Sequence, residues 1–150
     1  MSRQTYLPQG LPLPFTGDFD TRDWWAFAGR HELVFQRCSA CRTFRHPPKP
    51  ICFNCGSFQF AWEPVSGFGT IYSFVIAHHA AHPSLKERVP YNIVVVDVEG
   101  TNGLRVAGNL INVVGQVIKI GTEVHATWED ISDGVALLQW VTAEQSSGNR

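Results

Sequence analysis

The sequence contains no hydrophobic run long enough to cross a membrane. Its longest apolar runs, such as Ile93–Val96, stop well short of the roughly 20 residues that a bilayer-spanning helix needs. The first residues, Met1–Thr5, lack the apolar core of a secretory signal peptide, so we expect a cytoplasmic protein. Charge of one sign is not in excess either, because 12 Lys and Arg stand against 13 Asp and Glu. This balance argues against a general-purpose nucleic-acid binder.

The sequence also lacks the short motifs of common enzyme classes. It has no Gly-x-Ser-x-Gly turn, no phosphate-binding loop and no Gly-x-Gly-x-x-Gly that opens a helix. The remaining candidate for catalysis is the trio His78, His79 and His82, which could hold a metal ion or act as acid and base. His78 and His79 fall at the predicted end of a strand and would point to opposite faces, with Glu87 the one carboxylate nearby. We therefore disfavour an enzyme that works alone.

No cysteine is left over from the two pairs that the sequence forms. Cys38 and Cys41 make the first pair, Cys52 and Cys55 the second, and ten residues separate the pairs. A two-residue gap lets both thiolates of one tight turn face a single ion, so the two pairs predict a closed four-sulfur shell around structural zinc. Iron in the same shell, two disulfides and a thioredoxin-like redox pair are the alternatives. A cytoplasmic setting argues against disulfides, and a single redox pair would leave the other pair unexplained.

The pattern along the chain predicts a mainly β fold, in which a short N-terminal helix and a zinc ribbon precede a five-stranded OB-fold barrel. We expect an extended arm at residues 1–19, the helix plus zinc ribbon at 20–63, the OB-fold at 64–143 and a disordered tail at 144–150. Five short strands with a longer connection between the third and fourth are typical of this barrel, and about 75 residues is small for the alternative, a two-sheet sandwich. The expected strands are Thr70–His79, Tyr91–Val98, Leu104–Ile111, Thr122–Trp128 and Val135–Val141. In the first of them, strict alternation would place Ile71 and Val75 on one face.

Arg22–Ala28 is predicted to be a short helix with an acidic first turn, ending near Gly29. Its aromatic residues Trp24, Trp25 and Phe27 must be buried, either on the chain's own ribbon or on a partner protein. We favour the partner, since a zinc ribbon offers little surface for three large aromatic side chains.

Charge is distributed unevenly along the chain. Between Arg30 and Lys49 five basic residues stand against Glu32 alone, whereas seven acidic residues between Asp97 and Glu144 stand against two basic ones. These charges either solvate their own surfaces or give a basic N-terminal half that meets a phosphate-bearing ligand or an acidic partner.

The order of these motifs resembles the family of acyl-CoA-associated proteins that join a rubredoxin-like zinc ribbon to an OB-fold, long described as a domain of unknown function. The resemblance covers about residues 20–142 and depends on the order and spacing of motifs that are individually weak. They are Asp23-Trp24-Trp25, the two cysteine pairs, Phe44-Arg45-His46-Pro47-Pro48, Trp62, Ser66-Gly67-x-Gly69, Tyr72-Ser73, Pro90-Tyr91 and Glu99-Gly100. Family members usually have phenylalanine before the two prolines and a basic residue after them, whereas this chain has His46 there, with Lys49 as the base.

The resemblance implies a non-catalytic accessory subunit. It would bind a thiolase-like or lipid-transfer-type enzyme in a hetero-oligomer and help to seat or channel an acyl-CoA substrate. The chemistry would be carbon–carbon bond formation or cleavage in lipid, steroid side-chain or aromatic acid metabolism, with the catalytic residues on the partner. The alternative is a zinc-ribbon/OB-fold module that binds nucleic acid, which the acidic residues of the barrel strands disfavour.

Binding of coenzyme A would require cations for its three phosphates and a half-apolar groove for its pantetheine arm. The candidate residues are Arg37, Arg42, Arg45 and Lys49 of the ribbon, Lys86 and Arg88 of the loop between the first two barrel strands, and Tyr91.

Overall fold

The computed structural model describes residues 5–111, 113 and 117–143. Within these residues the chain is mainly β, with one short α-helix, a three-stranded sheet and a five-stranded sheet. The expected tail at 144–150, the first four residues of the arm and part of the connection between the third and fourth barrel strands lie outside the described residues. No helix in the described part of the chain is long and apolar enough to cross a membrane.

The first sheet is a small antiparallel ribbon. It consists of β1 (Val34–Cys38), β2 (Phe44–Arg45) and β3 (Phe60–Pro64), in the order β2-β1-β3. Phe35 of β1 is fully buried, so the ribbon packs its central strand against the rest of the chain.

The second sheet forms the barrel. Its strand order is β6-β5-β4-β7-β8, and the two outer strands are brought together by a parallel bridge between Leu110 and Trp140. This nearly closed arrangement, in which the third strand lies near the fifth, confirms the predicted OB-fold. The strands are β4 (Phe68–Ala77), β5 (Tyr91–Val98), β6 (Arg105–Gly108), β7 (Glu123–Ser132) and β8 (Val135–Thr142).

Side-chain alternation places the barrel core correctly on β5 but not on β4. Every second residue of β5 is buried, from Asn92 to Val98. In β4 the pairing with β5 shifts register between Ile71 and Ser73, as a β-bulge does. Ile71 is 1% exposed while Val75 is 56% exposed, so the prediction that they share a face was wrong. The inserted residue reverses which side chains face the core.

The helix α1 (Arg22–Gly29) packs on its own chain. Trp24 is 7% exposed, and its ring centroid lies 5.0 Å from that of His46 in the ribbon. A Cβ on Gly29 would lie 2.2 Å from the Gly134 carbonyl oxygen in the β7–β8 turn, so the helix approaches the barrel backbone closely. The barrel therefore supplies the surface that the ribbon alone lacks. Trp24 has little surface left for a partner, whereas Trp25 and Phe27 are half-buried.

Candidate metal centre and basic groove

Two similar turns carry the four cysteines. In the first turn the N–H of Arg42 donates to the carbonyl of Cys38 at 3.0 Å, and in the second the N–H of Gly56 donates to the carbonyl of Cys52 at 2.9 Å. Arg42 and Gly56 both have positive φ, 64° and 76°. The repeated backbone pattern makes both thiols of each turn face the same point.

The sulfur geometry fits one tetrahedral ion. All four Sγ atoms lie within 4.8 Å of one another, and the Cys38–Cys55 and Cys41–Cys52 sulfurs are 3.6 Å apart. Zinc–sulfur bonds of about 2.3 Å in a regular tetrahedron require sulfur separations near 3.8 Å. A disulfide needs about 2.05 Å, and all four cysteines are free. The disulfide alternative is therefore wrong for this structure, and the four-sulfur donor set fits structural zinc.

The surroundings of the sulfurs favour thiolates at part of the cluster. Hydrogen bonds from Asn54 and then Thr43 lower the pKa of the Cys41 thiol to about 5. The pKa of Cys38 is also lowered, first by the backbone N–H of Cys41, which lies 3.5 Å from its sulfur. At Cys55 the N–H of Ser57 lowers the pKa, but desolvation and the neighbouring thiols together raise it to about 11. Since crowded thiolates repel one another, a divalent cation is the charge that allows all four to ionise together.

The three histidines of the loop after β4 do not form a comparable site. β4 ends at Ala77, so His78 and His79 follow the strand and are exposed. His82 Nδ1 accepts a hydrogen bond from the N–H of Ser84 at 3.2 Å and so caps a short 3-10 turn. Within the described ranges, the four cysteines are the one group of three or more potential metal ligands with donor atoms close together.

Beside the metal centre lies a groove of about 640 Å³, which we call the basic groove. It runs between the ribbon and the turn that joins β5 to β6, where Gly100 and Gly103 lie. None of its described lining residues is acidic, and several are apolar, including Phe44, Ile51 and Phe53. Five lining residues are basic: Arg37, Arg42, Arg45, Lys49 and Arg105.

Ion pairs neutralise part of this charge from outside the groove. Glu63 of β3 accepts from both Arg37 and Arg42, at 2.6 and 3.0 Å, so two guanidinium groups share one carboxylate. Arg105 donates to Asp97 at 2.9 Å. Positive charge therefore remains in excess at the groove.

Arg45 occupies the most unusual position among these cations. It is 3% exposed, and its Nε donates to Gln36 Oε1 at 2.7 Å. Its two terminal nitrogens, Nη1 and Nη2, are buried without a hydrogen-bond partner among the described residues. A buried guanidinium with unpartnered ends is costly, so this position favours an anionic group nearby.

The structure divides the predicted coenzyme A residues into two groups. Arg37, Arg42, Arg45 and Lys49 line the basic groove, next to the turn that follows β5. Tyr91 begins β5 instead, and the eight residues of that strand span about 23 Å between its first and last residue. Lys86 and Arg88 precede Tyr91, and Arg88 Nε donates to the Tyr6 carbonyl at 2.6 Å. These three residues are therefore not in the groove.

Sequence reasoning missed one cation of the groove. Arg105 begins β6, far from the ribbon along the chain, and reaches the groove because the β5–β6 turn lies across the groove from the ribbon. Arg105 was recognisable in the sequence as the one cation of the predicted strands after Val89, but the sequence did not show which surface it joins.

Comparison with known protein families identifies both halves of the fold. A family model described as the ChsH2 rubredoxin-like zinc ribbon domain matches residues 25–61, and one described as the ChsH2 C-terminal OB-fold domain matches residues 62–129. The described part of the arm, residues 5–19, lies outside both matches.

Curated relatives include longer and similarly sized proteins. A probable enoyl-CoA hydratase alpha subunit from Thermomonospora curvata is 42% identical over 109 residues, which cover 73% of this chain and 33% of the relative. A 3-oxo-4,17-pregnadiene-20-carboxyl-CoA hydratase alpha subunit from Mycobacterium tuberculosis is 37% identical, over 76% of this chain and 35% of the relative. The chain thus spans about one third of the length of these two. A DUF35 domain-containing scaffold protein from Methanocaldococcus jannaschii is 29% identical over 76% of this chain and 82% of the relative.

Solved structures show the same fold. A chain of the Ltp2-ChsH2(DUF35) aldolase is 34% identical with a TM-score of 0.74, and the match covers 89% of this chain and 99% of that one. A DUF35-family protein of unknown function from Sulfolobus solfataricus is 12% identical with a TM-score of 0.54, over 81% and 83% of the two chains, and shows likeness of fold alone. With a four-cysteine centre on a ribbon, a five-stranded barrel and these matches, the chain belongs to the DUF35 family of ChsH2-type proteins, in which a rubredoxin-like zinc ribbon is joined to an OB-fold.

Proposed function

We propose that this chain is a non-catalytic accessory subunit of an acyl-CoA-processing enzyme complex, and that its basic groove binds the phosphate end of the acyl-CoA substrate. The observation that carries the proposal is the composition of the groove: five basic residues, no acidic residue among its described lining, and apolar side chains beside them.

The groove offers what each part of coenzyme A requires. Phosphate oxygens are bound well by guanidinium groups, which present two parallel N–H donors, and by lysine as a point charge. Lys49 supplies an exposed ammonium group, whereas the guanidinium of Arg45 is buried beside the groove and adds positive charge there rather than a direct contact. Ile51 and Phe53, 48% and 77% exposed, form an apolar edge of the same groove that suits the adenine ring or the pantetheine arm.

The relatives support a role beside an enzyme rather than as one. Two of them are alpha subunits of CoA hydratases, and a similar chain belongs to an aldolase together with Ltp2. Because this chain spans only about a third of the two hydratase subunits, their activity is not carried over to it. We propose a hetero-oligomer whose partner holds the catalytic residues; a thiolase-like or lipid-transfer-type partner follows from the family resemblance. Thiolates that hold zinc must stay reduced, so the proposal places the complex in the cytoplasm.

Calorimetric titration of the zinc-loaded full chain tests the ligand. We expect coenzyme A to bind more tightly than dephospho-coenzyme A, and pantetheine not to bind, because the phosphates supply the contacts. Raising the salt concentration should weaken binding. Lys49→Ala should weaken coenzyme A binding at least five-fold. The matched control Lys86→Ala, an exposed lysine outside the groove, should leave it unchanged.

Three results would contradict this site. Pantetheine could bind as well as coenzyme A, the two lysine variants could behave alike, or neither nucleotide could bind at all. A single-stranded DNA 12-mer that displaces coenzyme A at physiological salt and binds more tightly would favour the nucleic-acid-binding alternative.

The accessory role requires the partner. Purification of the complex from the source cells and identification of the second subunit by mass spectrometry should give an acyl-CoA-processing enzyme. Turnover of acyl-CoA should then be measured for the partner alone, the chain alone and the reconstituted pair. We expect the pair to exceed the partner alone and the isolated chain to be inactive. Turnover of an acyl-CoA by the isolated chain would contradict a non-catalytic role.

A further inference from the structure

The N-terminal arm is fastened to the end of the barrel opposite the basic groove. The hydroxyl of Tyr6 accepts hydrogen bonds from the backbone N–H and side-chain amide of Asn92, at 3.1 and 2.7 Å. Its backbone carbonyl accepts from Arg88 at 2.6 Å, and its backbone N–H donates to Glu129 at 3.0 Å. These contacts join a residue near the start of the chain to both β5 and β7.

A cavity of about 840 Å³ lies between this arm and the barrel, and we call it the arm cavity. Its volume is in the range of small-molecule sites, roughly 300–1,000 Å³. The arm supplies Leu7, Leu11 and Leu13 with three prolines, and the barrel supplies Ile131 and Leu137. Glu129 is the single charged residue among the described residues that line it.

The carboxylate of Glu129 is buried and only half satisfied. Glu129 is 7% exposed, and its Oε2 accepts from the Tyr6 N–H at 3.0 Å and from the Gln139 side chain at 3.4 Å. Its other oxygen, Oε1, is buried without a hydrogen-bond partner among the described residues. A buried acceptor of this kind is costly to leave unpaired, and native proteins usually satisfy it with a side chain, a ligand or an ordered water. The group that would satisfy Oε1 of Glu129 must therefore be a hydrogen-bond donor.

We propose that the arm cavity binds a small, mainly apolar molecule whose hydroxyl group donates a hydrogen bond to Glu129. A hydroxyl has one donor hydrogen, which a single acceptor satisfies, whereas an ammonium group has three and carries a large desolvation cost. The described lining offers one carboxylate, aliphatic and proline side chains, and the uncharged polar residues Thr5 and Gln9, a set that matches the neutral donor better.

This site is independent of the proposed coenzyme A site. Asn92, which holds Tyr6, lies at the start of β5, while the basic groove lies beyond the end of that strand, about 20 Å away. The arm also lies outside the residues that the two family models match, 25–61 and 62–129.

A matched pair of ligands isolates the hydrogen bond. Cyclododecanol can donate to Glu129, whereas methoxycyclododecane has a similar apolar ring but no donor. In an NMR titration of the full zinc-loaded chain, both should shift backbone signals of residues 7–14 and 131–137. We expect the alcohol to bind at least ten-fold more tightly, a difference of about 1.4 kcal/mol. Equal affinities would overturn the proposal, since the carboxylate would then be satisfied by water. Absence of binding by either compound would also overturn it.

Substitutions on one strand provide the control. Glu129→Gln should reduce the preference for the alcohol to less than three-fold, while Glu123→Gln, an exposed glutamate on the same strand outside the cavity, should keep it. Leu137→Trp should abolish binding of both probes by filling the cavity, with a dispersed spectrum as evidence of folding. A preference that persists in Glu129→Gln would overturn the proposal; if that variant does not fold, the comparison of the two ligands on the unaltered chain decides.

Discussion

The imidazole of His46 packs against the indole of Trp24, with 5.0 Å between the ring centroids. The ring also lies edge-on to Phe35 at 5.2 Å, and its Nδ1 is buried without a hydrogen-bond partner among the described residues. Desolvation by burial lowers the pKa of His46 to about 4. This histidine is therefore a neutral member of the aromatic cluster that joins the helix to the ribbon.

Replacement of His46 by phenylalanine should make the protein more tolerant of acid. An unfolded histidine has a pKa near 6.5, so between pH 6.5 and about 4 the unfolded chain binds a proton that the folded chain does not. The free energy of unfolding must fall as the pH falls through this window. Phenylalanine has no such proton, and the advantage of His46→Phe over the original chain should grow to the order of 2 kcal/mol by pH 4.5. Urea unfolding from pH 8 to 4.5 measures it.

Zinc release in acid does not confound this comparison, since both proteins keep all four cysteines. Stability curves that run parallel over the whole pH range would show that His46 is solvated, or protonated in the folded state, and would contradict the prediction.

Removal of the metal should loosen the ribbon before the barrel. Ile51 and Phe53, the apolar residues on either side of Cys52, are 48% and 77% exposed, so this end of the ribbon has little apolar core. A structural zinc ion contributes directly to folding. We expect one zinc per chain by atomic emission. A strong chelator should raise hydrogen exchange in β1 and β3 while β5 stays protected, because β5 lies in the barrel core. Cys52→Ser should have the same effect without chelator. A metal-free chain with unchanged exchange in the ribbon would contradict a structural role for the ion.

Gly29→Ala should destabilise the protein although alanine is the better helix former. Helix propensity alone predicts a gain of about 1 kcal/mol. The added Cβ would lie 2.2 Å from a backbone oxygen of Gly134, which cannot move as a flexible side chain can. Overpacking of this kind costs about 1–3 kcal/mol, so we expect a net loss in thermal and urea unfolding.

Gly17→Ala is the control for this substitution. Its Cβ would meet only the ring of Phe15 at 3.2 Å, and that ring is 78% exposed and free to turn. We expect a change in unfolding free energy within about 0.5 kcal/mol. Equal effects of the two substitutions would mean that the helix does not approach the β7–β8 turn as described.

The sequence allowed the metal centre and the barrel to be predicted because each leaves a local pattern. Tetrahedral thiolate binding requires closely spaced cysteines, so the two pairs, Cys38/Cys41 and Cys52/Cys55, point to a metal ion without any knowledge of the fold. Half-buried strands require alternation, which β5 shows over its whole length. The bulge after Ile71 changes the side-chain pattern by one residue, and nothing in the residue types of β4 marks it.

Contacts between distant parts of the chain left no such pattern. The composition of the arm indicates an extended segment but not that Tyr6 meets Glu129, 123 residues away. The ribbon cations were recognisable as a basic run, whereas Arg105 joins them only through the barrel topology. Likewise the aromatic helix was expected to need a partner because the ribbon alone offers too little surface for it. The barrel surface that it approaches lies more than 100 positions later, at Gly134, and left no local pattern.

Tyr6→Phe should release the arm without affecting the barrel. Phenylalanine fills the same space but removes the hydroxyl that accepts from the backbone N–H and the side-chain amide of Asn92. The side-chain amide of Asn92 still donates to the Leu110 carbonyl, at 2.9 Å, whereas the backbone N–H loses the acceptor that Tyr6 provided. Loss of one acceptor costs about 1–2 kcal/mol, which corresponds to roughly ten-fold faster local opening. Hydrogen exchange should therefore accelerate at Asn92 and along residues 5–14, while the amide of Val94, deeper in β5, keeps its protection. Unchanged exchange at Asn92 would mean that the hydroxyl of Tyr6 does not hold the arm, and equal acceleration at Val94 would mean that arm and barrel open as one unit.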